Sequence, residues 1–221
     1  MGKMKAIAFD CDGVVLDSFR NVHLGYLALA KALGVYCPPD LNGFRNEYLK
    51  QGTWEEFLAA MGIKKEDFRR ADQIFKEVYG QNKSLPFPGI HETLGKLARD
   101  YSLFLVTSGH DKEVRRLFVE YNLHNFFKEI RGNLNVGTYA GKTSSLIDIL
   151  TRYDLSGDQL GMVGDRAQDF IESRAAGLSK VILVEYGWGY DPVKIPDYNL
   201  RTKVNEPLEI INAVNELEVG K

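Results

Sequence analysis

Cysteine is scarce in this chain, which has only two, Cys11 and Cys37, among its 221 residues. Two cysteines at unrelated positions do not provide the disulfide framework of a small secreted domain. The segment 1–5 also lacks the apolar stretch and the small-residue cleavage site of a secretory signal peptide. We therefore expect a reducing compartment, and the cytoplasm in particular.

Long apolar runs and an excess of charge of one sign are missing as well. No apolar run approaches the roughly 20 residues that a bilayer-spanning helix needs. The 28 basic and 30 acidic side chains leave a net charge of −2, which gives no electrostatic reason to bind nucleic acid or an anionic membrane surface. We therefore expect neither nucleic acid nor a membrane as a partner.

The organisation of the chain changes at the Pro-Phe-Pro-Gly segment 86–89. Before it, residues 18–85 show helical spacing of apolar side chains and no convincing strand. After it, segments typical of strands and helices alternate, as in a parallel sheet covered on both faces. With 44% apolar side chains, the chain is long enough for such a core and for a smaller helical domain inserted after the first strand. The predicted strands are 5–9, 102–106, 160–163 and 180–184, and the predicted helices beyond the insertion are 90–99, 112–121 with Asp111 as its N-cap, 143–152, 169–176 and 207–217.

The most informative motif is the Asp-Cys-Asp-Gly sequence at positions 10–13, which follows the first predicted strand. Its two carboxylates, Asp10 and Asp12, repel each other and are stabilised by a cation between them. The carboxyl end of a parallel strand is also where α/β folds bind their ligands. Asp-Gly is common in plain turns too, so the motif alone leaves a turn as an alternative. Interpreted as a functional site, the same motif predicts bound Mg²⁺ with one carboxylate left free to react.

Three further segments place polar side chains at predicted strand or helix ends. Thr107 and Ser108 follow one strand, and Lys142 begins a helix. Asp165 follows another strand, and Asp169 lies one helical turn later on the same side. Each alone has an ordinary structural interpretation, such as a strand-end hydroxyl, a solvated lysine or a turn. Together with the first motif they supply the carboxylates, the ammonium and the hydroxyl that metal-assisted phosphoryl transfer requires.

Taken in order, these motifs resemble those of the haloacid dehalogenase-like superfamily. Segment 10–18 matches the first motif, Thr107 the second, Lys142 the third, and 164–169 followed by 173–177 the fourth. The resemblance extends over essentially the whole chain and favours the branch of phosphoglycolate phosphatases and β-phosphoglucomutases.

The resemblance implies an α/β fold with two parts. A Rossmann-like parallel-sheet core would consist of residues 1–17 and 86–221. A helical cap domain, residues 18–85, would be inserted after the first motif.

The resemblance also implies roles for the acidic residues. Asp10 resembles the nucleophile that forms an aspartyl-phosphate. Asp12 resembles the general acid and base that protonates the leaving oxygen and then activates water. Mg²⁺ would be held by Asp10, the backbone carbonyl of Asp12 and Asp165. The carboxylate of Asp12 implies phosphate chemistry, because the dehalogenase branch of the family lacks an acid there and uses no metal.

The remaining site residues resemble the groups that bind phosphate. Thr107, with Ser108, and Lys142 match the positions that hold phosphoryl oxygens. Asp169 matches the position that orients the lysine or a metal-bound water. The resemblance thus implies a small phosphorylated metabolite as the partner of this chain.

Two positions depart from the family pattern. The third motif usually has proline after its lysine, but Thr143 follows Lys142. Lys128 therefore stays open as an alternative, although it lies earlier in the chain than the family spacing requires. The second motif often continues with asparagine, whereas this chain has Ser108. His110, two residues later, is close enough in the sequence to reach the site, and a histidine in a solvated loop is the ordinary alternative.

The implied function is a Mg²⁺-dependent phosphatase acting on a small phosphomonoester of the phosphoglycolate or sugar-phosphate type. A phosphomutase of the β-phosphoglucomutase kind is the alternative, with His23 one residue away from the cap histidine of those enzymes. A non-catalytic binding protein on the same fold is a third hypothesis. The cap would select the substrate, and Arg45, in a predicted loop near Gly43, is the candidate contact to a substrate anion. An exposed surface arginine is the ordinary alternative for Arg45.

Overall fold

A computed structural model describes residues 2–134, 141–194 and 204–219 of the chain. The described residues divide into two compact units. One consists of those within Met1–Asp17, Pro86–Gly132 and Gly141–Lys221, and the other of those within Ser18–Leu85 and Asn133–Ala140. Across these described residues, no helix is both long and apolar enough to cross a membrane.

Strands and helices alternate in the first unit, whereas the second is mainly helical. In chain order the elements are β1 (Ala6–Phe9), β2 (Leu16–Asp17), α1 (Phe19–Leu33), α2 (Leu41–Leu49), α3 (Trp54–Ala60), α4 (Phe68–Gln81), β3 (Leu85–Pro86), α5 (Ile90–Leu97), β4 (Ser102–His110), α6 (Asp111–Glu120), β5 (Phe127–Asn133), α7 (Lys142–Arg152), β6 (Leu160–Gly164), α8 (Ala167–Ala175), β7 (Lys180–Leu183) and α9 (Glu209–Val219). Single turns of 3₁₀ helix occur at Lys65–Asp67 and His124–Phe126.

Five of the described strands form one sheet, in the order β5-β4-β1-β6-β7. The central strand β1 runs parallel to β4 and β6, and β6 runs parallel to β7. In this register Phe9, the last residue of β1, lies opposite Leu105 of β4 and Val163 of β6. The carboxyl ends of these strands therefore meet at one edge of the sheet, and the predicted α/β class with a parallel sheet is confirmed.

Helices cover both faces of the sheet, which explains why β1 is apolar at every position. Ala6 lies in a buried cluster with Leu146 of α7. On the opposite face, Phe9 packs edge-on against Phe127, with ring centroids 6.2 Å apart, and Phe127 contacts Phe118 of α6 at 5.5 Å. A strand buried between two helical layers has no solvent-facing side, so it does not show the alternation of a half-exposed strand.

The sheet differs from the predicted one in two strands. β4 continues to His110 instead of ending at residue 106, so Thr107 and Ser108 lie within the strand and not after it. β5 has no counterpart among the predicted strands, because charged side chains interrupt its apolar pattern. Its pairing with β4 at the edge of the sheet outweighs this weak local preference.

Helix α6 begins one residue earlier than predicted. Asp111, expected as its N-cap, is its first residue, and His110 takes the N-cap position. The Asp111 carboxylate instead accepts hydrogen bonds from Gly132 N at 3.2 Å and from Arg115 Nε at 2.8 Å. Asp111 therefore links α6 to the end of β5 instead of capping its own helix.

Arg45 lies in helix α2 and not in a loop, which corrects the prediction from sequence. Gly43 favours a loop, but Asp40 accepts a hydrogen bond from Gly43 N at 2.8 Å and starts the helix ahead of it. The side chain of Arg45 is half-buried. A local cap thus outweighs the helix-weakening effect of one glycine.

Aromatic rings hold the second unit together. The ring of Tyr26 on α1 contacts Phe44, Phe57 and Phe75, with centroid distances of 5.3, 4.8 and 5.2 Å. Helices α1 and α4 approach closely because Gly25 faces the Phe75 ring. A Cβ built at Gly25 would lie 2.6 Å from Phe75 Cδ2, closer than real carbon atoms pack.

Replacing Gly25 with alanine is expected to lower the free energy of unfolding by about 1–3 kcal/mol, because the new methyl group overlaps the Phe75 ring. The higher helix propensity of alanine, about 1 kcal/mol at most, offsets only part of this loss. Gly95 of α5 provides the matched control, since a Cβ there would make an ordinary contact, 3.5 Å from Phe126. Urea unfolding should therefore show Gly95→Ala as neutral or stabilising, and a Gly25→Ala midpoint equal to the wild type would contradict the overlap.

An ion pair fixes the last helix to the sheet. Lys180 of β7 is 3% exposed, and its Nζ donates to Glu218 Oε1 on α9 at 2.7 Å. Met4 N donates to the same carboxylate oxygen at 2.9 Å. Burial acts to raise the pKa of Glu218, but these two donors, together with the positive charges of Lys180 and Lys3, hold that pKa below its ordinary value. The ion pair therefore stabilises the fold above the ordinary glutamate pKa, and this contribution is lost as the pH falls through the lowered pKa.

Glu218→Gln is expected to lower the free energy of unfolding by about 3 kcal/mol at neutral pH, because the buried Lys180 ammonium loses its counter-ion. The double variant Lys180→Met with Glu218→Gln removes the buried charge as well, and should recover part of the loss. The difference between Glu218→Gln and the wild type should shrink as the pH falls below the ordinary glutamate pKa. Urea unfolding over a pH series measures both effects, and a pH-independent difference would contradict the ion-pair explanation.

Candidate active site

The first motif forms a tight loop at the end of β1. Asp10 N donates to the Val163 carbonyl at 2.9 Å, so the pairing with β6 continues to this residue. The loop then closes on itself, because Leu16 N donates to the Cys11 carbonyl at 2.9 Å. Gly13 has a φ of 84°, a left-handed conformation that glycine adopts without strain. The Asp10 carboxylate is thereby fixed at the end of the central strand.

Lys142 brings the third motif to Asp10. It is the first residue of α7, it is 6% exposed, and its Nζ lies 2.8 Å from Asp10 Oδ2. The same ammonium donates to Asp169 Oδ1. The other Asp169 oxygen accepts from Asp165 N at 3.1 Å and from Arg166 N at 2.9 Å, at the start of α8. One lysine therefore connects the ends of β1 and β6.

Other predicted candidates make different contacts. Nζ of Lys128, the alternative lysine, lies 4.5 Å from the ring centroid of Tyr153, so Lys142 is the lysine of these two that contacts Asp10. Arg45 belongs to the second unit.

Asp12 and Thr107 meet beside Gly109. A Cβ built at Gly109 would lie 3.4 Å from both Asp12 Oδ2 and Thr107 Oγ1. Thr107 is buried, and its Oγ1 accepts a hydrogen bond from Gly109 N at 3.0 Å, which leaves the hydroxyl proton to be donated elsewhere. Asp12 is half-buried, as is Ser108, the next residue in β4. The first and second motifs therefore meet at the same edge of the sheet.

Asp165 is fully buried and enclosed by three glycines. Its Oδ2 accepts a hydrogen bond from Gly189 N at 2.7 Å. Gly13 and Gly187 approach so closely that a Cβ at either position would overlap the Asp165 side chain. Among the described residues, Asp165 Oδ1 has no hydrogen-bond partner. A buried carboxylate oxygen without a partner is unfavourable, so this oxygen requires a proton or a cation.

The carboxylates of Asp10, Asp165 and Asp169 form an acidic cluster. One oxygen of each lies within 4.8 Å of the others. Burial raises the pKa of Asp10 to about 7, against the lowering effect of Lys142 and with a further increase from the charge of Asp169. Burial, followed by the charges of Asp169 and Asp10, raises the pKa of Asp165 well above its usual range. Three acidic groups outnumber the one ammonium, which contacts two of them, Asp10 and Asp169. This all-oxygen donor set fits a hard divalent cation.

Comparison with known proteins connects this geometry to a family. The sequence model described as "Haloacid dehalogenase-like hydrolase" matches residues 7–184, which contain all three carboxylates of the cluster and Lys142. This chain belongs to the haloacid dehalogenase-like hydrolase family. The family membership predicted from the motifs is confirmed, and so is the predicted enzyme class, a hydrolase of the phosphatase type.

Relatives resemble this hydrolase over most of its length. Phosphoglycolate phosphatases from Pasteurella multocida and Vibrio cholerae are 24% and 26% identical to it over 202 residues, which is 86% of this chain and 90% and 88% of theirs. The structure of a haloacid dehalogenase-like family hydrolase from Streptococcus pneumoniae superposes with a TM-score of 0.82 at 24% identity, covering 96% of this chain and 99% of the other. The hydrolase therefore shares the fold of this family.

Two features of the hydrolase's site were not predicted from sequence. The Gly-Trp-Gly loop 187–189 follows β7 and packs over Asp165. Glu172 on α8 accepts a hydrogen bond from the backbone of Lys142. Two glycines around a tryptophan after a predicted strand could have indicated a close backbone approach. No local signal marks Glu172, because its partner lies 30 residues away in the sequence.

Proposed function

We propose that this hydrolase is a Mg²⁺-dependent phosphatase that cleaves a small phosphomonoester through an aspartyl-phosphate on Asp10. The observation that carries the proposal is the Asp10 carboxylate at the end of the central strand, 2.8 Å from Lys142 Nζ and clustered with Asp165. Substrates of the phosphoglycolate or sugar-phosphate type are the class we favour, and the phosphoglycolate phosphatases among its relatives support this class.

Asp10, Asp165 and the backbone carbonyl of Asp12 would hold the Mg²⁺ ion. Within the described part of the chain, Asp165 Oδ1 has no protein partner, which suits a metal ligand. Asp169 is already engaged by Lys142 and by two backbone N–H groups, so we assign it to orienting the lysine. Mg²⁺ supplies positive charge that offsets the repulsion between the anionic substrate and these carboxylates.

Asp10 and Asp12 would divide the chemistry of two displacements at phosphorus. In the first, an Asp10 oxygen attacks phosphorus, the bond from phosphorus to the leaving oxygen breaks, and Asp12 donates a proton to that oxygen. In the second, Asp12 takes a proton from water, the water oxygen attacks phosphorus, and Asp10 and inorganic phosphate are released. The half-buried position of Asp12 suits a group that exchanges protons with both substrate and water.

Thr107, Ser108 and Lys142 would bind the phosphoryl oxygens. The Lys142 ammonium contacts the attacking carboxylate, so a phosphoryl group that approaches Asp10 also approaches this positive charge. The Thr107 hydroxyl retains its proton for donation, because its oxygen is the acceptor of the Gly109 N–H. These donors would stabilise the charge that develops on the transferred group.

The helical residues 18–85 would form the cap that selects the leaving group. We retain Arg45 of α2 as the candidate contact to a substrate anion, since a guanidinium pairs well with a carboxylate such as that of phosphoglycolate.

The mutase alternative gains no support from His23. Its Nε2 lies 2.7 Å from the Pro38 carbonyl, which only accepts hydrogen bonds, so this nitrogen carries a proton and donates it there. The ring is buried and stacks on Phe44, with centroids 4.7 Å apart. These contacts give His23 a structural place in the interior of the second unit.

Phosphate release from a panel of small phosphomonoesters, including phosphoglycolate and several sugar phosphates, tests the proposed function. We expect release in the presence of Mg²⁺ and none in EDTA, because the carboxylate cluster repels an anionic substrate without a cation. Isomerisation of a sugar phosphate in the presence of its bisphosphate, with little release, would replace the proposal by the mutase. Absence of both reactions would favour the binding-protein hypothesis.

A further inference from the structure

Helix α8 contacts both ends of Lys142. Asp169 and Glu172 are three residues apart on this helix, so their side chains project from the same face. Asp169 accepts a hydrogen bond from Lys142 Nζ, and Glu172 Oε2 accepts one from the backbone N–H of Lys142. Two carboxylates on one helix therefore fix the ammonium and the backbone of the same residue.

Glu172 is itself held in place. It is 6% exposed, and its Oε1 accepts a hydrogen bond from Gln168 Nε2, one turn earlier on α8, at 2.8 Å. Thr143 Oγ1 donates to the Glu172 backbone carbonyl at 3.3 Å. Thr143 occupies the position where the family usually has proline, which has no hydroxyl. This chain therefore has an additional link between α7 and α8 next to Lys142.

The start of α7 is a favourable place for this buried carboxylate. The first N–H groups of a helix have no acceptor within the helix, and the positive end of the helix dipole favours an anion. An alanine at position 172 would leave the Lys142 N–H without this acceptor. The first residue of α7 would then lose the fixed backbone from which its ammonium reaches Asp10.

We propose that Glu172 is a positioning residue: by fixing the first residue of α7, it holds the Lys142 ammonium where the phosphoryl group binds. The functional meaning of this inference rests on the proposed phosphatase activity. The contact between Glu172 and Lys142 can be tested without that activity. Glu172 acts on the substrate only through Lys142, so it is not a catalytic residue.

The reactivity of Lys142 reports its position without any substrate. Competitive acetylation of the folded protein with acetic anhydride, followed by peptide mass spectrometry, measures each lysine separately. In Glu172→Ala we expect Lys142 to react about tenfold faster than in the wild type, because one hydrogen bond that orders it is lost. Lys180, another buried and ion-paired lysine, should react at an unchanged rate. Glu172→Gln keeps an oxygen acceptor and should restore the slow reaction of Lys142.

Two results would overturn the proposal. One is unchanged reactivity of Lys142 in Glu172→Ala, and the other is an equal increase at Lys142 and Lys180, which would show a general loosening. Glu92→Gln, at an exposed glutamate, is the matched surface control and should leave both lysines as in the wild type. If Glu172→Ala does not fold, Gln168→Ala tests the proposal in its place. This variant removes the hydrogen-bond donor to Glu172 Oε1, and it should raise the reactivity of Lys142 but not that of Lys180. No increase in that variant overturns the proposal too.

Phosphate binding shows whether the position of Lys142 matters for the reaction. In Glu172→Ala we expect KM and the Kd of inorganic phosphate to rise about tenfold with Mg²⁺ affinity unchanged, because Lys142 contacts phosphoryl oxygens and not the metal. A purely structural role would lower the unfolding temperature and leave both constants of the folded protein unchanged. If the wild type hydrolyses no phosphomonoester, the phosphatase proposal fails, while the acetylation result still decides whether Glu172 positions Lys142.

Discussion

Asp10→Asn is expected to reduce phosphate release by at least about 10⁴-fold, because the amide lacks the negative oxygen that attacks phosphorus. The same change should raise the unfolding temperature of the metal-free protein by about 2–5 °C. Asparagine has nearly the same shape as aspartate, and it removes one acidic group from a buried cluster in which Asp10 and Asp169 contact a single ammonium and Asp165 has an oxygen within 4.8 Å of theirs. Loss of activity together with a gain in stability is what we expect of a catalytic carboxylate whose buried charge destabilises the metal-free protein.

Phosphate release and thermal unfolding in EDTA measure the two effects of Asp10→Asn. Asp100→Asn is the matched control, because Asp100 is exposed and should show neither effect. Substantial residual turnover in Asp10→Asn would contradict the nucleophile assignment. A lower unfolding temperature would instead contradict the interpretation that the acidic cluster destabilises the metal-free protein.

Asp165→Asn is expected to weaken Mg²⁺ binding by at least about 100-fold. The amide oxygen of asparagine will turn toward the Gly189 N–H, which now donates to Asp165 Oδ2 at 2.7 Å. The amide NH₂ group, a donor that cannot bind a cation, is then left at the position of Oδ1, the oxygen without a partner among the described residues. The substitution therefore preserves the packing under the three glycines and removes the ligand.

Calorimetric titration with Mg²⁺ measures the loss in Asp165→Asn without reference to activity. Raising the Mg²⁺ concentration should restore part of the phosphate release of Asp165→Asn and none of that of Asp10→Asn. This contrast separates a residue that binds the metal from one that also reacts. Unchanged Mg²⁺ affinity in Asp165→Asn would place the cation elsewhere.

Two strands that end at the candidate site, β1 and β6, were predictable from sequence. β1 and β6 are short apolar runs buried on both faces, and such runs are recognisable without knowledge of their partners. Asp10 directly follows β1 and Asp165 directly follows β6, so the parallel pairing of these strands brings both residues to one edge of the sheet. Lys142 was placed at the start of a helix, and it is the first residue of α7.

The errors arose where pairing or capping outweighed local pattern. β5 is interrupted by charged residues and forms at the edge of the sheet beside β4. β4 continues four residues beyond its predicted end, so Thr107 is a strand residue. Arg45 lies in a helix because Asp40 caps its first turn, a contact that the nearby Gly43 obscured in the sequence.

The α/β class, most of the succession of strands and helices, and the aspartates that follow β1 and β6 are evident from the amino-acid sequence, because these features depend on spacing over a few positions. Which buried atoms have hydrogen-bond partners depends instead on contacts between distant parts of the folded chain. Asp165 keeps an oxygen without a partner among the described residues because Gly189, 24 positions later, occupies the other. Lys142 is fixed at both ends by α8, 27 and 30 positions away. Hydrogen bonds over such separations depend on how the elements pack, and that packing leaves no periodic signal in the chain.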